Sequence, residues 1–226
     1  MFAIDSQMTP TRYALIVFDW DGTIMDSTGL IAECIQLAAR DRRLPIPLTE
    51  DAKSIIGLGI HEATRRLFPD LDHDTQAAFA VAYRHHFVSR DHEAPLYEGI
   101  RELLATLNHQ ARFLAVATGK PRAGLERAFT QTGLKPAFHF SRCADEGLPK
   151  PHPDMLLKLM NFTAVPPERT LMIGDTIHDL ELANNAGVAA VAVTYGAHPA
   201  ALLATRPSVA AVDNVTELAA WLKQNA

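Results

Sequence analysis

Asp19 and Asp21 stand two positions apart at the end of an apolar run, in the stretch LIVFDWDGTIMDST (15–28). Burying a carboxylate is costly unless it is paired or bound to a cation, and two within a few ångströms repel each other. Taken alone, such a pair reads as a solvated turn, where Asp is common. Three further stretches change that. Thr118, Gly119 and Lys120 follow FLAVA, Lys150 lies in GLPKPHPD, and Asp175 and Asp179 lie in LMIGDTIHD. If these stretches end strands of one parallel sheet, they converge on one crevice. It would hold four carboxylates, one hydroxyl and one or two lysines.

Four clustered carboxylates do not all stay ionised without compensation. Oxygen ligands with no His or Cys cluster suit a hard cation, Mg²⁺ before others. Such an ion takes one or two carboxylates, keeps waters and binds a substrate phosphate. The Thr118 hydroxyl, the lysine ammonium and backbone N–H groups near Gly22 and Thr23 would then donate to phosphoryl oxygens. Gly22 suits that place, since a residue without Cβ lets the chain approach an anion closely. Asp19 could attack phosphorus as a carboxylate nucleophile, and Asp21 could protonate the leaving oxygen and then activate water.

The elements that must position these groups are legible as short apolar runs. YALIVF (13–18), RFLAVAT (112–118), TLMIG (170–174) and VAAVAVT (188–194) suit parallel strands covered on both faces; AFHF (137–140) and SVAAV (208–212) are weaker candidates. Amphipathic stretches separate them. In GIRELLATLNHQ (99–110), Ile100, Leu103, Leu104 and Leu107 share a face, while DMLLKLMNF (154–162) and LELANNAG (180–187) also read as helices. The alternation predicts an α/β fold with a doubly wound parallel sheet. From about residue 28 to 90 no strand candidate occurs and four stretches read as helices. The expected organisation is therefore an α/β core of residues 1–25 and 96–226, with a smaller all-helical domain, 26–95, inserted after the first strand. That insert would stand above the carboxyl ends of the strands, where open α/β sheets bind ligands. Residues 1–11 read as a frayed lead-in.

DWDGT, VATGK, LPKPHPD and IGDTIHD, in this order, resemble the four motifs of the haloacid-dehalogenase-like (HAD) hydrolases. The MDST turn and helical insert resemble members of subfamily IA with a type-one cap, and PLYEGIRELL resembles the phosphoglycolate-phosphatase-like branch. The resemblance implies a Rossmann-like core with sheet order 3-2-1-4-5. It implies an Mg²⁺-dependent phosphatase that hydrolyses a small phosphorylated metabolite, phosphoglycolate-like, through an aspartyl-phosphate. The catalytic residues implied are Asp19, Asp21, Thr118 and Lys150. Asp19, Asp175, Asp179 and the Asp21 carbonyl are the implied metal ligands, with Asp179 acting through water or by orienting Lys150. Gly119 departs from the Asn frequent in relatives but keeps its backbone donor. Trp20 replaces an aliphatic residue and is expected to pack under the sheet.

Substrate binding is expected from Gly22, Thr23, Gly119 and Lys120, and from Gly59, His61 and Arg65 in IIGLGIHEATRRLF (55–68). Arg65 suits a carboxylate or a second phosphate. His85 and His86 are adjacent and point to different helix faces, which makes them poor joint ligands. His178 reads as a surface residue and Trp221 as core. The composition, 48% hydrophobic and 21% charged with a net charge of −5, is that of a globular chain without the basic footprint of a nucleic-acid binder. No run is long enough for a membrane span, and Cys34 and Cys143 read as buried thiols in a reducing, cytoplasmic setting. The chain is expected as a monomer or homodimer. Alternatives within the same family are a phosphomutase and a phosphonate-cleaving relative, for which Lys53 is the only cap lysine; one of a different class is a non-catalytic phosphoacceptor.

Overall fold

The computed structural model describes residues 12–110 and 112–226, so the expected lead-in at 1–11 lies outside the described residues. The chain runs β1 (Leu15–Phe18), α1 (Thr28–Asp41), α2 (Thr49–Ser54), α3 (Ile60–Leu67), α4 (His73–Arg90), α5 (Ile100–Asn108) and β2 (Phe113–Thr118). It continues through α6 (Arg122–Thr132), β3 (Phe140–Cys143), α7 (Asp154–Thr163), β4 (Thr170–Gly174) and α8 (Ile177–Asn185). β5 (Ala189–Val193), α9 (Ala200–Leu203), β6 (Ala210–Val212) and α10 (Val215–Asn225) complete it. The six strands form one parallel sheet in the order β3-β2-β1-β4-β5-β6. The implied order is present, extended by β6. Among the described residues no helix is long and apolar enough to cross a membrane.

Alternation along the strands divides the core. Ile16, Phe18, Leu114 and Val116 pack on one face with α5, α6 and α10, and Leu15, Val17, Ala115 and Ala117 pack on the other with α7 and α8. All four residues of β1 are fully buried, which is why the strand reads as an unbroken apolar run. Ile100, Leu103, Leu104 and Leu107 form the buried face of α5, as their spacing requires. Trp20 is fully buried and stands edge-on to Phe129, with ring centroids 5.2 Å apart. α1 to α4 enclose a separate cluster built on Ile31, Ile35, Phe79 and Phe87. The segments joining β1 to α1 and α4 to α5 lie side by side, with Asp26 N–H donating to Pro95 O (2.9 Å) and Tyr97 N–H to Ile24 O (3.1 Å).

Three expectations are corrected. The strand expected at AFHF begins only at Phe140, because Lys135–Ala137 turns as a 3₁₀ segment and β3 is a sheet edge carrying Ser141 and Arg142. Trp221 is half-buried, packed against the core cluster and not within it. His178 is buried, at 1% exposure, with Nε2 3.3 Å from the carbonyl of Ser54 at the end of α2. Burial, with His198 beside it, lowers the His178 imidazole to about 4.

Candidate active site

β1 and β4 are hydrogen-bonded neighbours, so the residues leaving their carboxyl ends emerge together. Asp19 directly follows β1 and Asp175 directly follows β4. β2, on the other side of β1, ends at Thr118. The capping box of α8 fixes Asp179: its Oδ2 accepts from Thr176 N–H (3.0 Å) and Thr176 Oγ1 (2.7 Å), while the Thr176 hydroxyl accepts from Asp179 N–H. Lys150, within a loop of prolines and joined to Pro151 by a cis bond, reaches the same point. Its Nζ donates to Asp19 Oδ1 at 2.8 Å and to Asp179 Oδ1 at 2.6 Å, with all three side chains essentially without solvent contact.

Asp19, Asp175 and Asp179 each present a buried carboxylate oxygen within 4.8 Å of the others. Asp175 is held by Thr23 Oγ1 at 2.8 Å and Ala197 N–H at 2.8 Å. One ammonium cannot neutralise three carboxylates. Burial is the largest influence on Asp19 and raises it to about 7; Lys150 opposes this and Asp179 adds to it. Burial, then Asp19 and Asp179, likewise holds Asp175 well above the carboxylate range. Burial pulls Lys150 down, but Asp179 and Asp19 together outweigh it and keep the ammonium above its ordinary value. Asp19 Oδ2 is buried without a hydrogen-bond partner. A surplus of buried carboxylate with an unused oxygen is a donor set that fits a hard metal ion.

Gly22 makes the cluster possible. It has φ +80°, and a Cβ there would fall 2.1 Å from Asp175 Oδ2. Asp21 lies apart from the three, with Oδ1 accepting from Ser27 Oγ at 2.6 Å and pairing with Lys120 Nζ at 2.9 Å. Lys120 also stands over the Phe87 ring of α4, 4.5 Å from its centroid. Lys120 N–H donates to Thr118 Oγ1 at 3.2 Å. Asp19, Asp21, Thr118, Gly119 and Lys120 border a cavity of about 310 Å³, whose other walls come from α1, the 55–58 turn, α3, α4 and α6, with Asp145.

The expected residues therefore fall into two groups. Asp19, Asp21, Thr23, Thr118, Gly119, Lys120, Lys150, Asp175 and Asp179 gather around this crevice, with Gly22 at its base. Gly59, His61 and Arg65 do not border the cavity: a Cβ on Gly59 would meet Ala144 and Pro149, His61 is exposed, and Arg65 is 68% exposed and paired with Glu62. The charged first turns of α3 carried no sign of which side they face. Ser27 and Thr176 escaped the sequence reading, although Thr-x-x-Asp in TIHD is a capping signature and Ser27 lies in the quoted MDST.

An all-parallel sheet with a buried carboxylate and lysine cluster at its central strand ends defines an α/β enzyme of the doubly wound class. The chain belongs to the haloacid dehalogenase-like hydrolase family, whose model matches residues 16–193. It is 32% identical over 210 residues to "Probable phosphatase IndB" of Dickeya dadantii, covering 90% of this chain and 91% of that protein. It is 30% identical over 223 residues to a phosphoglycolate phosphatase of Vibrio parahaemolyticus, covering 93% and 96%. A solved structure titled a predicted phosphoglycolate phosphatase, from Haemophilus somnus, superposes with a TM-score of 0.83 at 26% identity, covering 93% of this chain and 98% of that one.

Proposed function

We propose that the protein is an Mg²⁺-dependent phosphatase that transfers the phosphoryl group of a small phosphomonoester to Asp19 and then to water. The observation that carries this is the buried Lys150 bridging Asp19 and Asp179, with a carboxylate surplus and the free Asp19 Oδ2 beside it. The carboxylates of Asp19, Asp175 and Asp179 and the main-chain carbonyl of Asp21 would hold the ion. When bound it would supply the positive charge that keeps the cluster ionised and offsets the phosphate.

Asp19 attacks phosphorus as the bond to the leaving oxygen breaks, and Asp21 gives that oxygen its proton. In the second half Asp21 takes a proton from water, whose oxygen attacks phosphorus and frees Asp19. Thr118 and the Gly119 N–H hold phosphoryl oxygens, and Lys150 keeps Asp19 from repelling the incoming anion. Residues 26–95 act as a cap that closes over the crevice and excludes water from the first step. The relatives' names make phosphoglycolate the first substrate to try. A chain without long basic runs, with no membrane-length helix among the described residues and with two buried free cysteines, is in keeping with a cytoplasmic enzyme.

The test is release of nitrophenol from p-nitrophenyl phosphate with Mg²⁺. EDTA is expected to stop it and Asp19→Asn to abolish it, with the variant still folded by circular dichroism. Normal turnover by a folded Asp19→Asn protein would falsify the nucleophile assignment.

A further inference from the structure

The cavity beside Asp19 and Asp21 is where a leaving group would lie, and its chemistry is not that of a carboxylate site. Its volume, about 310 Å³, is at the lower end of the range of roughly 300–1,000 Å³ found for small organic ligands. Its walls are chiefly hydrocarbon: Ile31 and Ile35 from α1, Ile56 and Leu58 from the turn before α3, and Tyr83 and Phe87 from α4. All but Tyr83 are buried.

The cations around this cavity are occupied or wet. Lys120 is paired with Asp21 and covered by the Phe87 ring. Arg127 is paired with Asp91, Nε to Oδ2 at 3.0 Å. Arg84 is exposed at the rim, where a charge pair in water is worth little. The cationic residue that would suit a glycolate carboxylate, Arg65, is engaged with Glu62 and does not border the cavity. An anionic leaving group would lose its hydration without gaining a buried partner. Tyr83 supplies a neutral polar handle on the wall: among the described residues its hydroxyl has no hydrogen-bond partner. Burial, then Asp21, keeps that phenol well above its ordinary value, so it remains a neutral donor.

We propose that the substrate is a phosphomonoester whose alcohol is bulky and apolar, an aromatic or branched aliphatic group bearing at most a neutral polar edge, and not a two-carbon hydroxy acid. The proposal rests on the phosphatase reading of Asp19 and Asp21. The phosphate would lie between Asp19 and Thr118, and the alcohol would replace water along the α1 and α4 walls.

The experiment compares kcat/KM for methyl, propyl and 2-phenylethyl phosphate with that for phosphoglycolate. Simple alkyl alcohols are leaving groups of similar basicity, and glycolate is somewhat better, so intrinsic reactivity does not favour the expected order. Each methylene buried should raise kcat/KM roughly fourfold, and 2-phenylethyl phosphate should exceed phosphoglycolate by about tenfold or more. Leu58→Ala should lower the rate on 2-phenylethyl phosphate more than on methyl phosphate. Titration calorimetry of the wild-type protein with Mg²⁺ gives a second readout, with 2-phenylethylphosphonate expected to bind more tightly than phosphonoacetate. A flat series, or a preference for phosphoglycolate and phosphonoacetate, overturns the proposal while Asp19-dependent hydrolysis leaves the phosphatase reading standing. Failure of every ester and both phosphonates overturns the two together.

Discussion

Gly119 lies so close under Gly57 that a Cβ on the first would come within 2.6 Å of the carbonyl oxygen of the second. The carbonyl of Leu58 would be 2.8 Å away. The turn before α3 thus rests directly on the residue after β2, backbone against backbone. Gly57 itself has φ +91°, so the turn depends on glycine at both contacts. A side chain at 119 would therefore lift the turn away from the crevice. Gly119→Ala should fold with a lowered Tm, since backbone atoms of the turn must shift to admit the Cβ. Its kcat/KM should fall by roughly 10²-fold, the cost expected of a displacement near 1 Å. Steady-state kinetics beside a thermal melt checks this, and undiminished kcat/KM would show that the contact does not matter to turnover.

The Mg²⁺ dependence of stability should itself depend on pH. Without a cation, Asp19 is raised from 3.8 to about 7, so across that window the folded protein keeps a proton that the unfolded chain releases. Stability in EDTA therefore falls as pH rises from about 4 to about 7. Asp175 is shifted in the same direction and adds to the fall. Bound Mg²⁺ displaces those protons, so its benefit grows over the same window. At pH 8 and a hundredfold excess over Kd it should add about 2.7 kcal/mol, or roughly 5–10 °C in Tm. At pH 5 the gain should be smaller. Melts at both pH values, with Mg²⁺ or EDTA, decide it; equal gains would argue against proton release at this site. Asp175→Asn should reduce the gain at pH 8.

Lys150 offers a sharper stability test, because it is buried between two carboxylates with nothing else to replace it. Lys150→Met keeps an unbranched apolar stem one atom shorter and removes the charge. Breaking a buried ion pair in this way costs about 3–5 kcal/mol. Asp19, which Lys150 otherwise pulls down, would hold its proton to higher pH, so the loss should be larger at pH 8 than at pH 5. Urea unfolding at the two pH values measures both the loss and its sign. A loss that shrinks with rising pH would contradict the ion-pair account.

Much of this arrangement was visible in the sequence. Leu15–Phe18 and Thr170–Gly174 are buried on both faces, so their hydrophobicity is continuous; Thr170–Gly174 falls where it was expected, while β1 starts two residues inside the expected 13–18. Asp19 and Asp175 were legible because carboxylates beside apolar runs conflict with burial unless they meet a cation, whereas Lys150, in GLPKPHPD, was placed by the resemblance of its motif. β3 was placed three residues early because an edge strand tolerates polar residues and leaves no such run. Arg65 and His61 lie outside the cavity border, and the sequence could not show this for a related reason. Helical spacing shows that a residue is on a helix but not which neighbour the helix faces, and α3 spends Arg65 on Glu62. The apolar cavity walls were legible as helix cores, not as a binding surface, because Ile35 and Phe87 would look the same in either role. Only the packing of α1 against α4 distinguishes them.

Gly22 and Gly133 share a positive φ, +80° and +69°, yet they should respond differently to alanine. A Cβ on Gly133, at the end of α6, would meet nothing within 4 Å. Gly133→Ala should therefore carry only the left-handed backbone penalty, about 1 kcal/mol. A Cβ on Gly22 would fall 2.1 Å from Asp175 Oδ2, a carboxylate already fixed by Thr23 and Ala197. Asp175 cannot yield without breaking one of those bonds, so Gly22→Ala should cost roughly 2–4 kcal/mol, the backbone penalty plus a buried polar contact. It should also weaken Mg²⁺ binding, since Asp175 is displaced from Asp19 and Asp179. Chemical denaturation of both variants, with and without Mg²⁺, separates the two terms. If Gly22→Ala lost no more stability than Gly133→Ala and still bound Mg²⁺ normally, the close approach of β1's turn to Asp175 would not be what holds the cluster together.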